Sequence, residues 1–402
     1  MLAAALVFGI ATACQVIAPR LRIPSLILLL PAGFVLGLIA PDLRIDLILG
    51  PAFPAMVDLV VAIILFHGGL ELNSASISAS GHRIVRRLVW VGGAVTFLSA
   101  AVLAHVIIGM DWQIAFMLGA IVIVSGPTVV TPILDFTGLQ GRVRGLLQWE
   151  GTLLDPIGAL FAVVVFQVIR ASGAESFGEA VTSFVVGILV GVIAAVVGVL
   201  LFIVGGRLVR GNSLLGTQVL LGSVIVVAGV ANYVSDETGL IAALLMGMAA
   251  PRIAKHFGAS LTSSQPFFGT VVSIGIGVLF VSIAALVPST TVLAVLLPTL
   301  AVSVLLILVV RPLVAMLGTV GTDLSRGERI FIACMDPRGI VAAATASSIG
   351  AALIALKVPG AEQLLPAAFI IVAVTVAVYG LSAVPIARAL KMSPAKTTSD
   401  AA

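Results

Sequence analysis

Apolar runs without a single charge recur along the whole chain, and they decide what it can fold into. Phe184 to Val204 is one of them. At about 1.5 Å of rise per residue, a helix of that length covers most or all of the roughly 30 Å hydrocarbon core of a bilayer. A soluble domain carries about 25% charged residues. Here only 9% are charged and 60% are hydrophobic, which excludes a soluble globular fold and leaves a polytopic membrane protein. The formal net charge of +4 does not signal nucleic acid, because the basic residues sit mostly in short loops and form no patch. The two cysteines, Cys14 and Cys334, are too few for a disulfide framework or a thiolate metal cluster. Met1 to Ala18 has no Lys or Arg before it, so it lacks the basic start of a secretory signal and reads as a first helix.

Charges, prolines and glycines bound thirteen apolar runs: 1–18, 23–40, 54–70, 88–110, 112–134, 148–169, 177–205, 214–233, 238–250, 264–286, 289–317, 330–355 and 362–387. The expected fold class is therefore an all-α polytopic membrane protein of about 13 transmembrane helices. Loop charges test the count. Sixteen Lys and Arg fall in loops after odd-numbered helices or in the C-terminal tail, among them Arg22, Arg210, Lys255 and Lys396. Only Arg44, Arg170 and Lys357 fall after even-numbered ones. By the positive-inside rule this places the N-terminus outside and the C-terminus in the cytoplasm, in a multi-pass protein of the plasma membrane.

Two basic residues remain inside spans, Arg311 and Arg338, together with the acidic Glu150, Asp155 and Asp336. Ionisable groups at membrane depth are costly and mark substrate or proton routes. Two spans are also interrupted. The fifth contains Ser125-Gly126-Pro127-Thr128 and the twelfth Asp336-Pro337-Arg338-Gly339, so Gly126, Pro127, Asp336 and Pro337 are the helix-break residues. Asp336 followed by Pro337 reads as an N-cap and first helical position. Ordinary proline kinks are the simpler account of either site alone. Their offset of seven spans, however, makes the two segments cross the membrane in opposite directions. An inverted repeat of helices 1–6 and 8–13 requires this, and discontinuous helices of such repeats build midplane ion sites.

The sixth helix carries Glu150 and Asp155 about 140° apart around its axis, so each is expected to have its own partner. Thr152 lies about 60° from Asp155 and can join it at one site. Glu150 is left to pair with a buried base, for which Arg338 is the candidate. A purely structural, salt-bridged pair of carboxylates is the blander alternative.

These residues resemble the monovalent cation/proton antiporters of the sodium/proton exchanger type. Phe66-His67-Gly68-Gly69-Leu70-Glu71-Leu72 is similar to that family's helix-three signature. Ser125-Gly126-Pro127-Thr128 stands where the family has Thr-Asp-Pro in an unwound helix. Glu150-Gly151 with Asp155 resembles its Glu-Gly-Glu-Ser and Asn-Asp segment, and Arg338-Gly339 its Arg-Gly. The resemblance implies that Asp155 binds the monovalent cation or the proton, that Ser125 offers an oxygen ligand, and that Glu150 holds Arg338 in a structural ion pair. It further implies a scaffold and dimerisation bundle (1–80 and 177–286), an ion-translocating core bundle (88–170 and 289–387), a cytoplasmic tail (388–402) and a homodimer. Two departures stand out: Gly126 replaces the family's Asp, and Leu154 replaces the Asn before the key Asp.

The function expected is secondary antiport of a cation for H+ by alternating access, with no cofactor, no nucleic acid and no enzymatic step. Sodium is the first choice of cation, and potassium or lithium accept the same oxygen ligands. A bare carboxylate is disfavoured in the bilayer interior, so a proton and a cation compete to neutralise Asp155. Ser125, Thr128 and Thr152 supply further oxygens. With one carboxylate at the site, exchange is expected to be electroneutral and one-for-one. A proton-independent cation channel and an organic anion transporter on a related crossed-helix fold are the alternatives. His67 reads as a satisfied helix histidine or a pH sensor, and His82 and His256 as loop histidines.

Overall fold

The structure, a computed structural model, describes residues 2–21, 23–50, 52–72, 79–171, 176–209, 213–256 and 265–392. Arg22, Arg210, Lys396 and most of the expected tail lie outside the described residues, as do the side chains of Lys255 and His256. Among the described residues the regular structure is helical, with no strand. In chain order the helices are α1 (Leu2–Leu21), α2 (Leu26–Ile39), α3 (Ile45–Leu49), α4 (Ala52–Glu71), α5 (Ala79–Arg87), α6 (Gly93–Leu103), α7 (Trp112–Ile123), α8 (Pro127–Thr137) and α9 (Arg142–Ala171). They continue as α10 (Ser176–Val209), α11 (Ser213–Val234), α12 (Thr238–His256), α13 (Gln265–Ala285), α14 (Ser289–Leu305), α15 (Arg311–Thr319), α16 (Arg326–Ala333), α17 (Ile340–Ala355) and α18 (Leu364–Ala389). Turns of π-helix at Leu88–Gly92 and Leu306–Val310 carry α5 into α6 and α14 into α15 without a break.

Among the described residues, nine helices are long and apolar enough to cross a membrane. A tenth is formed by α7 and α8, which are bent by 45° at a short break. Three further apolar segments are shorter, Leu26–Ile39, Thr238–Ile253 and Ile340–Ala355. The chain is thus a multi-pass membrane protein.

Local sequence explains the helix ends that matter for the site. Proline cannot donate a backbone hydrogen bond but fits the first helical position, so α8 starts at Pro127 with the extended Gly126 as its N-cap. Its far end is Gly138, whose φ of 65° is the left-handed conformation that glycine adopts without strain. Ser325 and Glu328 form a reciprocal capping box that starts α16. The second break runs from Cys334 to Gly339, and α17 starts only at Ile340. The start expected at Asp336–Pro337 is therefore corrected. Asp336 does not cap a helix, because its carboxylate is engaged by Arg338 at 2.7 Å.

Packing fixes where these breaks sit. Helix α4 lies along α12, and α13 lies along α2 and α1. The α4–α12 contact is backbone to backbone, since a β-carbon on Gly69 would fall 2.6 Å from the Leu244 carbonyl oxygen. Helix α9 packs on α7, α8 and α17, α17 also packs on α7, and α18 packs on α7 and α8. Both breaks are thereby enclosed by protein, where freed backbone groups are tolerated.

Candidate cation and proton site

The two breaks touch. The Ser125 hydroxyl donates to the Pro337 carbonyl at 3.2 Å, and a β-carbon on Gly339 would lie 3.3 Å from both the Gly126 nitrogen and Thr128 Oγ1. Helices α8 and α17 start from this contact at Gly126 and Gly339, neither of which has a side chain to cap the helix. Their unpaired N–H groups and positive dipole ends favour a negative charge there.

Helix α9 supplies a carboxyl group there. Asp155 is fully buried, and neither of its carboxylate oxygens has a hydrogen-bond partner. Both lie against the bare Cα of Gly126: a β-carbon there would fall 2.5 Å from Oδ2 and 2.9 Å from Oδ1. Thr128 is also buried with its hydroxyl unpartnered. On the same helix, the backbone carbonyl one turn before Pro156 is left without its helical donor. Pro156 has no N–H to donate to the Thr152 carbonyl, the bond that helix geometry calls for. The signal was present in the Asp155-Pro156 pair itself.

Other expected site residues are engaged elsewhere. The Thr152 hydroxyl donates to the Gln148 carbonyl at 2.7 Å and does not join Asp155. The Ser125 hydroxyl bridges the two breaks.

The Glu150–Arg338 pair is corrected. Glu150 is held by Arg311, with Nη1–Oε1 at 2.6 Å and the second guanidinium nitrogen to Oε2 at 3.0 Å. Arg311 also donates to the Ile332 carbonyl at 3.0 Å. The cause is placement. Helix α15 packs on α16, and α16 on α9, which brings Arg311 to Glu150. Arg338 instead sits within the second break. Its guanidinium donates to Asp336 at 2.7 Å and to the Ile123 carbonyl at 3.3 Å. Ile123 ends α7, so Arg338 faces the negative end of that half-helix. Arg311 approaches Asp336 at 3.9 Å, which joins the two pairs into one buried network of two bases and two acids.

Two cavities flank the site at opposite ends of α4. One, of about 270 Å³, is lined by His67, Gly68, Glu71, Pro127, Thr128, Thr131 and Asp135, with parts of α1, α2 and α13. The other, of about 50 Å³, is lined by Asp58, Glu237, Thr345, Ser347 and Ser348, with α12 and α13. Each is bordered by a helix that starts at a break, α8 for the first and α17 for the second. Glu237 lies in the loop before α12. Its own burial, with Asp58 and Asp236 nearby, pushes its carboxyl up to about 8. Of the histidines, His67 lies 3.4 Å from Glu71, and His82 packs edge-on against Trp149.

An unwound, multi-pass helical fold around one bare buried carboxylate is the architecture of an ion-coupled membrane carrier. The profile described as "Sodium/hydrogen exchanger, transmembrane" matches residues 2–389, and the chain belongs to that family. Among similar proteins is a K(+)/H(+) antiporter NhaP of Alkalimonas amylolytica, 24% identical over 84% of this chain and 58% of its own length. A K(+)/H(+) antiporter NhaP2 of Shewanella sp. (strain ANA-3) is 26% identical over 96% of this chain and 66% of its own. The chain thus spans about three-fifths to two-thirds of the length of these curated relatives. The fold is similar to that of the sodium proton antiporter MjNhaP1 of Methanocaldococcus jannaschii, with a TM-score of 0.81 and 21% identity, covering 96% of this chain and 97% of that one.

Proposed function

We propose that this chain exchanges an alkali cation for a proton, one-for-one and electroneutrally, by alternating access. The observation that carries the reading is the Asp155 carboxylate: buried, unpartnered, and placed where two helix breaks meet. A charge in that position is tolerable only when neutralised. Cation and proton therefore compete for it, and the loaded carrier moves more readily than the empty one. Coupling follows from that competition without ATP. Sodium stands in the name of the similar structure and potassium in those of the curated relatives, and the same oxygen donors accept either ion.

The movement we propose has a core of 88–170 and 289–387 shifting against a scaffold of 1–80 and 177–286, the latter forming a homodimer. The three shorter apolar segments complete thirteen spans in an inverted repeat. The N-terminus lies outside and the tail from residue 388 in the cytoplasm of a plasma membrane. The cavity beside Glu71 is then the cytoplasmic entrance and the one beside Asp58 the outer one. Glu150 with Arg311, and Asp336 with Arg338, hold the breaks in register. Asp155, Thr128 and the Thr152 carbonyl are the proposed ligands in the inward-facing arrangement, with the Ser125 and Thr152 hydroxyls becoming available as the core shifts.

Proteoliposomes with an internal pH dye test this. Addition of Na+, K+ or Li+ outside is expected to move protons in the wild type and not in Asp155→Asn. Exchange that survives in the mutant, or a wild type that moves no protons with any of the three ions, overturns the reading.

A further inference from the structure

We propose that Gly126 is the specificity-determining residue of the cation site, and that through it the carrier prefers potassium to sodium. This rests on Asp155 being the carrier carboxylate.

Three observations carry it. First, the Asp155 oxygens occupy the volume that a side chain at 126 would fill, with a β-carbon there only 2.5 Å and 2.9 Å from them. The missing side chain is what lets the carboxylate reach the junction of the two breaks. Second, among the described residues the other buried acids close by are already engaged. Thr128 contributes a neutral hydroxyl, and Glu150 and Asp336 are held by Arg311 and Arg338. Third, among the described residues no three His, Cys, Asp or Glu side chains gather into a polydentate set. The field acting on the cation therefore comes from one carboxylate and neutral oxygens.

Selectivity follows from the cost of removing water. Sodium is smaller than potassium and holds its water more tightly, so a site must return more energy to strip it. The number and field strength of the ligands determine what is returned. A single-carboxylate site returns less, and the shortfall is larger for sodium. A carboxylate carried at position 126 would stand beside Asp155, raise the field and reverse the order.

The experiment is cation-dependent proton flux in proteoliposomes, read as KM and kcat for K+ and Na+ in four proteins. For wild type, the KM for K+ is expected to be at least about fivefold below that for Na+. Gly126→Asp is expected to change that ratio by about tenfold or more in favour of Na+. Gly126→Ala adds bulk but no charge. It is expected to raise KM for both ions by about tenfold with the ratio kept, because it displaces the carboxylate without changing the ligand type. Gly350→Ala is the control, since a β-carbon there meets only Leu364 Cδ2, at 3.9 Å.

A purely structural role for Gly126 would change the yield of folded protein but not the ratio of the two KM values. A wild type with Asp155-dependent exchange and a sodium KM equal to or below its potassium KM overturns this proposal alone, even if neither Gly126 variant folds. A folded Gly126→Asp with an unchanged ratio also overturns it. Absence of any exchange in wild type removes both this proposal and the function it rests on.

Discussion

Two buried carboxylates five positions apart on α9 have opposite fates, and neighbouring bases decide which is which. Glu150 receives a two-pronged guanidinium and becomes part of the frame. Asp155 receives no partner, which is what the proposed competition of cation and proton requires. Removing one partner of a buried pair strands a charge, so Arg311→Met is expected to destabilise the protein by about 3–5 kcal/mol. Replacing both partners, as in Glu150→Leu with Arg311→Leu, is expected to recover most of that loss. Thermal unfolding in detergent of the single and double variants checks this, and a double variant no better than Arg311→Met contradicts it. Which arginine would take Glu150 was not legible in the sequence. Arg311 and Arg338 are both buried bases, and the choice depends on how α15 and α16 pack, about which helical periodicity says nothing. That Asp155 stands apart from Glu150 was legible, because helix phase separates the two; the role proposed for it came from the family resemblance. A contrasting pair lies on the surface. Arg142 grips Asp323 through two hydrogen bonds at 2.7 and 2.9 Å, which hold the Asp323 carboxyl down to about 2. A depressed carboxylate contributes stability above its unfolded value of about 3.9, and loses it as pH falls toward the folded value. The difference in melting temperature between wild type and Asp323→Asn is thus expected to be flat from about pH 5 to 9 and to shrink below about pH 4. A difference that varies around neutrality would show that the pair senses pH.

At the scale of elements, the adjacent glycines of α4 have separate tasks. Gly69 lies against the α12 backbone, where a β-carbon would sit 2.6 Å from the Leu244 oxygen and 3.0 Å from the Met248 nitrogen. Neither atom can move without moving the helix. Gly68 faces the other way, and its β-carbon would meet the Pro127 ring at 2.9 Å and the Thr152 methyl at 3.5 Å. One glycine therefore fixes α4 to α12, while the other lets the first residue of α8 pack close against α4, the contact that slides in the proposed movement. Gly69→Ala is expected to cost about 1–3 kcal/mol of stability through overpacking. Gly68→Ala is expected to cost less stability than Gly69→Ala, because it meets a side-chain ring rather than another helix's backbone, yet to lose roughly tenfold or more in turnover, a barrier increase of about 1.4 kcal/mol. Unfolding and transport assays on the two variants separate these effects, and a Gly68→Ala protein with full turnover would refute the sliding contact. The glycine pair was visible in the sequence as part of a motif, but its division of labour was not, since that depends on which neighbour each Cα faces. Element boundaries were easier to read. The apolar runs end where charges and prolines begin, and α4, α11 and α13 start and stop within two residues of the expected limits. Sequence reasoning missed the short α3 and the early start of α9 at Arg142, where polar residues continue a helix beyond its apolar run.

At the scale of the whole molecule, the two cavities lie at opposite ends of α4, an arrangement that the proposed inverted repeat accounts for. Thr131, on the half-helix after the first break, lines the cavity at the C-terminal end of α4. Ser347, on the half-helix after the second break, lines the cavity at its N-terminal end. Both side chains are half-buried, and Asp155 between them reaches neither cavity surface. If α8 and α17 shift as one body against α4 and α13, opening one cavity closes the other. Single cysteines at these positions report that relation in a background where Cys14 and Cys334 are replaced by serine. A membrane-impermeant thiol reagent is expected to reach Thr131→Cys only from the cytoplasmic face and Ser347→Cys only from the outer face. Crosslinking that traps one orientation should raise one labelling rate and lower the other. Both positions reacting from the same face would refute the assigned sidedness. Rates that rise and fall together would mean that the cavities open jointly, as in a channel, and exchange through Asp155 would then lose its coupling.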